Sequence, residues 1–184
     1  MERDEFEQQS DLFPYPREVH ADGSINYGGI DLTKETERIH EIPEAQASAN
    51  LQRLLEEVNL QEGLFMTLGC DYGALENGIG GYIDFAFRPG VSPRIKQQTA
   101  ALDDFFYAYL AKQEIQHGIA DGSMVNYARG VLTWRHAPLT IGAQQYDRVI
   151  LHFYCQQQDD CEWCLDHIRH FLVTAFPALP QSDV

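Results

Sequence analysis

GYIDFAFR (residues 81–88) and YDRVILHFYC (residues 146–155) are the most telling stretches of this chain. In the first, Ile83, Phe85 and Phe87 alternate with Tyr82, Asp84 and Arg88. In the second, Val149, Leu151 and Phe153 alternate with Arg148, Ile150, His152 and Tyr154. A period of two puts each set on one face of a β-strand, so both stretches read as strands with an apolar face turned to a core. A further strand-like stretch precedes each one: GLFMTLGC (63–70) and NYARGVLTWRH (126–136). An amphipathic helix follows each. Ile95, Leu102, Phe105, Phe106, Tyr109 and Leu110 mark the first, and Leu165, Ile168, Phe171 and Leu172 the second.

The same order thus occurs twice, over residues 64–113 and 131–176, with the strands displaced by about 67 residues. A two-strand-plus-helix unit cannot bury its apolar face alone. Two copies imply one four-stranded, or slightly larger, antiparallel sheet packed against helices. DYGALENGIG (71–80) and APLTIGAQQ (137–145) read as the turn regions, and HGIADGS (117–123) as the crossing between copies. Before the repeat, a helix begins at Pro43, with Leu51, Leu54, Leu55 and Val58 on one stripe. The expected class is α+β, in the order α-ββ-α-ββ-α, as one domain over residues 43–184.

Residues 1–42 have a different composition. FPYPREV and HADGSINYGGIDLT mix prolines and glycines with polar residues, which favours an extended arm with turns at Asp22-Gly23 and Gly28-Gly29. Phe6, Phe13, Tyr15, Ile25, Tyr27, Ile30 and Leu32 are too apolar for a purely solvated tail. Part of the arm should therefore lie against the domain or a partner, with an edge strand near Ser24 to Tyr27.

The chain has 184 residues and a net charge of −15, with −10 of it in residues 1–62. Such a surface repels nucleic acid phosphates and anionic lipid and attracts basic partners. MERDEFEQQSDLF is too acidic for a signal peptide, and no apolar run approaches the roughly 18 residues of a membrane span. The expected compartment is the cytoplasm, where Cys70, Cys155, Cys161 and Cys164 are free thiols.

Zinc needs about four converging nitrogen or sulfur ligands, and C-x-x-C is a common half of such a site. Cys155, Cys161, Cys164 and His167 are the candidate set, although the spacing of a second half is missing and no metal or other cofactor is favoured. CEWC after a strand and before a helix also has the order of a thiol-redox motif, but Asp159, Asp160 and Glu162 oppose a thiolate there, and Asp160 reads more simply as an N-cap. ENGIGG (76–81) is glycine-rich but is followed by a strand, so it lacks the helix N-terminus that cradles phosphate.

The remaining candidate is the sheet face turned away from the helices. Asp84 and Arg88 from one copy, His152 and Tyr154 from the other, and Arg135 beside them offer groups for binding a polar ligand or for acid–base work. Tyr82 and Ile150 add apolar surface to that face, so something should cover it: the arm, a second copy in a homodimer, or another protein.

Over residues 43–176 the element order and low pI resemble those of bacterial secretion chaperones and their relatives. The resemblance implies a small acidic dimer that holds a partner chain in extended form. An acidic inhibitor or immunity protein would use the same surface physics. With no complete catalytic motif, the expectation is a non-enzymatic binder of a protein with a basic surface or extended segment, and of neither nucleic acid nor membrane. The alternatives are a small-ligand sensor or enzyme around Asp84, His152 and Tyr154, and a zinc- or thiol-dependent protein built on Cys155, Cys161 and Cys164.

Overall fold

Period-two stretches pair where both apolar faces can be buried together, and here they build two long hairpins. The computed structural model describes residues 1–3, 13–19, 21, 23, 25–26, 28–60, 62–119, 121–141 and 144–179. Three short strands come first: β1 (Glu2–Arg3), β2 (Glu18–Val19) and β3 (Ile25–Asn26). The hairpins are β4 (Phe65–Leu75) with β5 (Gly78–Phe87), and β6 (Leu132–Ile141) with β7 (Gln144–Cys155). The main sheet has the order β1-β6-β7-β5-β4 and is antiparallel except where β1 lies parallel to β6. The second strands of the two hairpins meet at its centre, with Ile83 opposite Leu151 and Phe85 opposite Val149.

The fold is α+β, with helices on one sheet face. The helices are α1 (Pro43–Ala47), α2 (Ala49–Val58), α3 (Pro93–Lys96), α4 (Leu102–Gln116), α5 (Ser123–Val131) and α6 (Gln158–His170). The expected first helix does begin at Pro43, but it breaks at Ser48. That residue is extended, and its Oγ caps α2 by accepting from the Leu51 N–H at 3.1 Å. Leu51, Leu54, Leu55 and Val58 are all buried against Phe65, Phe85, Leu165, Ile168 and Phe171 in one core. Each fully buried side chain of this size contributes about 2 kcal/mol. Asn59 ties the end of α2 to β4, donating to the Leu55 carbonyl at 2.7 Å and to Thr67 Oγ1 at 2.6 Å. Its Oδ1 accepts from the Thr67 N–H at 3.1 Å.

Four expectations about boundaries are corrected. Asn126–Val131 belongs to α5 and not to a strand, because Gly122 (φ 74°) turns the chain and carboxylates cap the helix that begins at Ser123. Asp121 accepts from the Ser123 N–H at 3.0 Å, and the buried Glu114 accepts from the Met124 N–H at 2.6 Å. Ala137–Ile141 is strand rather than turn, since Ala137 and Leu139 are buried and Leu139 pairs with Tyr146. Among the described residues β1 pairs with Arg135 and His136 and no strand but β7 pairs with Pro138, which suits a residue that lacks an N–H. Most of residues 71–80 are also strand, and only Glu76 and Asn77 stand between β4 and β5. Gly78, Gly80 and the following Gly81 sit where a side chain would strike the facing strands, Gly81 against the Asp71 carbonyl for example, whereas Gly73 has open space. Finally, Gln157 and not Asp160 occupies the N-cap of α6.

Among the described residues of the arm, Ile25–Asn26 is not paired with the main sheet. Ile25–Asn26 instead pairs with Glu18–Val19 in a separate two-stranded ribbon, and Glu2–Arg3 forms the strand beside β6. Gly28 (φ 83°) folds the chain back so that the Gly29 N–H reaches the Tyr15 carbonyl at 2.9 Å. Phe6, Asp22, Ser24 and Tyr27 lie outside the described residues.

Candidate functional site

The outer sheet face carries the candidate side chains, and the ladder sets their neighbours. Ala86 pairs with Arg148, Asp84 with Ile150, Tyr82 with His152, and Gly80 with Tyr154. On the other side of β7, Arg135 pairs with Ile150 and Thr133 with His152. Asp84 and His152 therefore lie one row apart, on neighbouring strands from different hairpins.

The face is divided between a dry end and an open end. At the end nearest the β6–β7 connection, Phe13 of the arm packs onto Met66, Leu68, Ala86 and Leu139, with Tyr15 beside it. The Tyr15 hydroxyl donates to the Leu68 carbonyl at 2.6 Å, where a bulge between Thr67 and Gly69 offsets the ladder. Near this cover Asp84 and Arg148 form an ion pair at 3.5 Å, with residue exposures of 6% and 4%. A buried pair needs such matching, because an isolated charge in that position is expensive. At the other end, nearest the β4–β5 turn, His152, Thr133 and Asp71 are exposed, and Arg135 is exposed in the row of Ile150 next to them. Tyr154 is 45% and Leu75 54% exposed. Tyr82 is half-buried beside the His152 ring, with centroids 5.9 Å apart, and the Tyr154 hydroxyl donates to the Asn77 carbonyl at 2.9 Å. Burial first, and then Asp84 and Asp71, push the Tyr82 phenol up to about 12, so it stays a neutral donor.

Arg88 does not join this group. It follows the end of β5, and its guanidinium donates to the Phe65 carbonyl at 2.7 Å and the Val58 carbonyl at 3.2 Å, at the end of α2. The strand alternation that placed it beside Asp84 stops at Phe87. Of the remaining candidates, Asp84 lies at the covered end, Arg135 is exposed across the same row, and His152 and Tyr154 lie at the open end. Asp71, Leu75 and Glu76 belong to that open end as well, and reading residues 71–80 as a loop concealed them.

The cysteine set also divides. Cys155, Cys161 and Cys164 all lie fully buried in the core on the opposite side of the sheet, and none is in a disulfide. His167 turns towards α4, where its Nδ1 lies 2.9 Å from the Tyr109 hydroxyl and its ring packs on Trp163 with centroids 4.5 Å apart. Burial lowers the His167 pKa. A four-ligand set of the three cysteines with His167 is therefore not assembled, and no group of three or more His, Cys, Asp or Glu among the described residues is arranged to hold a metal ion.

A cavity of about 180 Å³ lies apart from both places, lined by residues such as Val58, Leu60, Phe65 and Leu172 at the joint between α2 and β4. No helix among the described residues is long and apolar enough to cross a membrane. No protein-family model, curated protein or solved structure matches this chain.

Proposed function

We propose that this is an acidic, non-enzymatic partner-binding protein of the cytoplasm, and that the open end of its outer sheet face takes a basic, extended segment of another protein. One observation carries the reading. Exposed Tyr154 of β7 and exposed Leu75 of β4 both lie over Gly80 of the intervening β5, and exposed Asp71 and Glu76 flank them on and beside β4, the strand that ends the sheet. Aromatic and apolar side chains supply contact area and cation–π faces for lysine or arginine, the acids supply the complementary charge, and the net charge of −15 steers such a segment in from a distance. The same field disfavours nucleic acid and anionic lipid as partners.

This reading is favoured over a ligand sensor or enzyme because Asp84 faces Arg148 under the arm, while His152 and Tyr154 stand in the open rows.

Labelled extended peptides of basic, neutral and acidic composition test the proposal by fluorescence anisotropy at low and physiological salt. Basic peptides are expected to bind, and to bind more weakly as salt rises. Tyr154→Ala and Asp71→Lys should each weaken binding roughly tenfold, the usual effect of losing an aromatic anchor or reversing a facing charge. Equal binding of all three peptide classes, or unchanged binding to both variants, would overturn it. A second copy of the chain is the competing occupant of the same strip, and sedimentation of the free protein across concentrations separates that case.

A further inference from the structure

Because β4 ends the sheet, one row of its backbone groups has no strand beside it. The register tells which groups those are. The Arg88 N–H donates to the carbonyl of Leu64, the residue before β4, so alternation turns the backbone groups of Phe65 and Thr67 away from β5. Beyond the bulge at Leu68 the parity is set by the turn. Only Glu76 and Asn77 connect the two strands, so Leu75 and Gly78 close the hairpin as a hydrogen-bonded pair. Leu75, Gly73 and Asp71 therefore bond to β5. The N–H and C=O groups of Ala74, Tyr72 and Cys70 point outward along the edge.

The two halves of this edge are finished differently. Side chains close the first half: the Thr67 N–H donates to Asn59 Oδ1 at 3.1 Å, and the Phe65 carbonyl accepts from Arg88 Nε at 2.7 Å. At the bulge the Leu68 carbonyl accepts from the Tyr15 hydroxyl at 2.6 Å. In the second half, the outward backbone groups of Cys70, Tyr72 and Ala74 have no hydrogen-bond partner among the described residues. Helix α1 packs beside β4 without bonding to its backbone. Ala74 and Leu75 are exposed and Tyr72 is half-buried. A sheet edge pairs with another extended chain unless a proline, a lysine or a bulge blunts it, and residues 70–75 contain none of these. Asp71 is the one charge among them.

The flanks of the open half set what can pair there. On the outer face Asp71 and Leu75 stand on either side of Gly73, and nothing lies within 4 Å of the point where a Gly73 side chain would begin. A large side chain from an added strand has room over that glycine. On the inner side the Tyr72 hydroxyl donates to Glu162 Oε1 at 3.3 Å, so carboxylates lie on both sides of the edge.

We propose that Tyr72–Leu75 of β4 accept a strand from the basic partner, which extends the sheet by main-chain pairing. The inference rests on the partner-binding proposal and adds the mode of recognition. Partner residues that bond Tyr72 and Ala74 alternate with residues whose side chains lie over Asp71, Gly73 and Leu75. The fitting segment carries lysine or arginine beside Asp71 and an aromatic or apolar residue two positions along, towards Leu75. A second copy is disfavoured, because it would join two acidic edges of molecules that each carry a net charge of −15.

The test uses the full-length protein and a labelled Lys-Val-Lys-Val-Tyr-Val-Lys peptide, read by fluorescence anisotropy. Two further versions of the peptide carry N-methyl groups on alternate backbone nitrogens, one on the odd positions and one on the even. Methylation keeps the charges and side chains and removes the donors along one edge of the strand. Strand addition requires one version to bind within about twofold of the parent and the other about tenfold or more weakly. Equal affinities of the two versions would overturn the inference and leave the partner-binding proposal standing. Failure of the parent peptide to bind would overturn both.

Ala74→Pro removes an outward donor that the fold does not use. It should keep the melting temperature within a few degrees while weakening the parent peptide about tenfold. Amide hydrogen exchange of the unaltered protein decides the matter even where that variant fails to fold. The Tyr72 and Ala74 amides should exchange freely in the free protein and be protected about tenfold or more by the bound peptide. No protection at peptide saturation would overturn the inference. Protection that appears without peptide and grows with protein concentration would assign the edge to a second copy, and would overturn it equally.

Discussion

The two ends of the outer sheet face are built from the same strands, yet their polar residues have different uses. Near the β6–β7 connection, Asp84 and Arg148 are buried as an ion pair, and Phe13 covers Met66, Leu68, Ala86 and Leu139 nearby. Near the β4–β5 turn, His152 and Asp71 face solvent, as do Tyr154 and Leu75. Strand composition does not separate the ends, because each mixes charged, aromatic and aliphatic side chains. The arm separates them. Where it lies, charge must be matched internally and becomes part of the fold. Where it does not, charge and aromatic surface remain available to another molecule.

The sharpest way to break this contrast is to remove one charge from the covered end. Arg148→Ala takes away the guanidinium 3.5 Å from Asp84, and urea unfolding should register a loss of about 3 kcal/mol. Replacing both residues by apolar ones of similar volume should restore most of it. A single-substitution cost under about 1 kcal/mol would mean that the pair is solvated and that the two ends are alike.

Phe13→Ala should follow with a loss of about 2 kcal/mol, because it empties the contact between the arm and the sheet. A near-zero effect in the same unfolding measurement would show that the arm drapes over the sheet without anchoring.

A smaller effect is expected with pH from His136, which lies opposite Val149 on the inner side of the sheet. Burial, and then Arg3 and the N-terminal amine, hold the His136 pKa below its ordinary value of 6.5 despite Asp147. The unfolded chain therefore binds more protons in that window, so stability is complete above the ordinary value and erodes as pH falls below it towards the lowered one. His136→Gln should flatten part of the stability-against-pH curve there. His167 shifts in the same direction and should account for a further part.

The smallest effect belongs to the open end. Tyr154→Ala should change stability by no more than about 0.5 kcal/mol, in keeping with a surface side chain, while weakening the binding of basic peptides. A large stability loss would move Tyr154 from the binding surface into the fold.

Much of this architecture is visible in the chain itself, for identifiable reasons. Ile83, Phe85 and Phe87 against Val149, Leu151 and Phe153 announce two core strands because alternation is a local property of the backbone. Leu51, Leu54, Leu55 and Val58 announce α2 in the same way. Local reading fails where a distant contact reverses the local signal. Glycines at 78, 80 and 81 look like breakers until a facing strand needs their missing side chains. Residues 126–131 look like a strand until Asp121 and Glu114 cap them as a helix. Arg88 looks like a neighbour of Asp84 by parity, but the carbonyls at the end of α2 hold it elsewhere.

Period, turn residues and charge, all short-range or additive, settle the α+β class, the paired hairpins and the acidic surface from the chain alone. Which outer-face residues are dry, which cysteines are buried, and that His167 turns to Tyr109 are matters of tertiary packing. Those outcomes depend on where residues 13–15 land on the sheet and how the two-residue connection after Cys155 aims α6. Contacts between segments separated by tens of residues have no periodicity of their own.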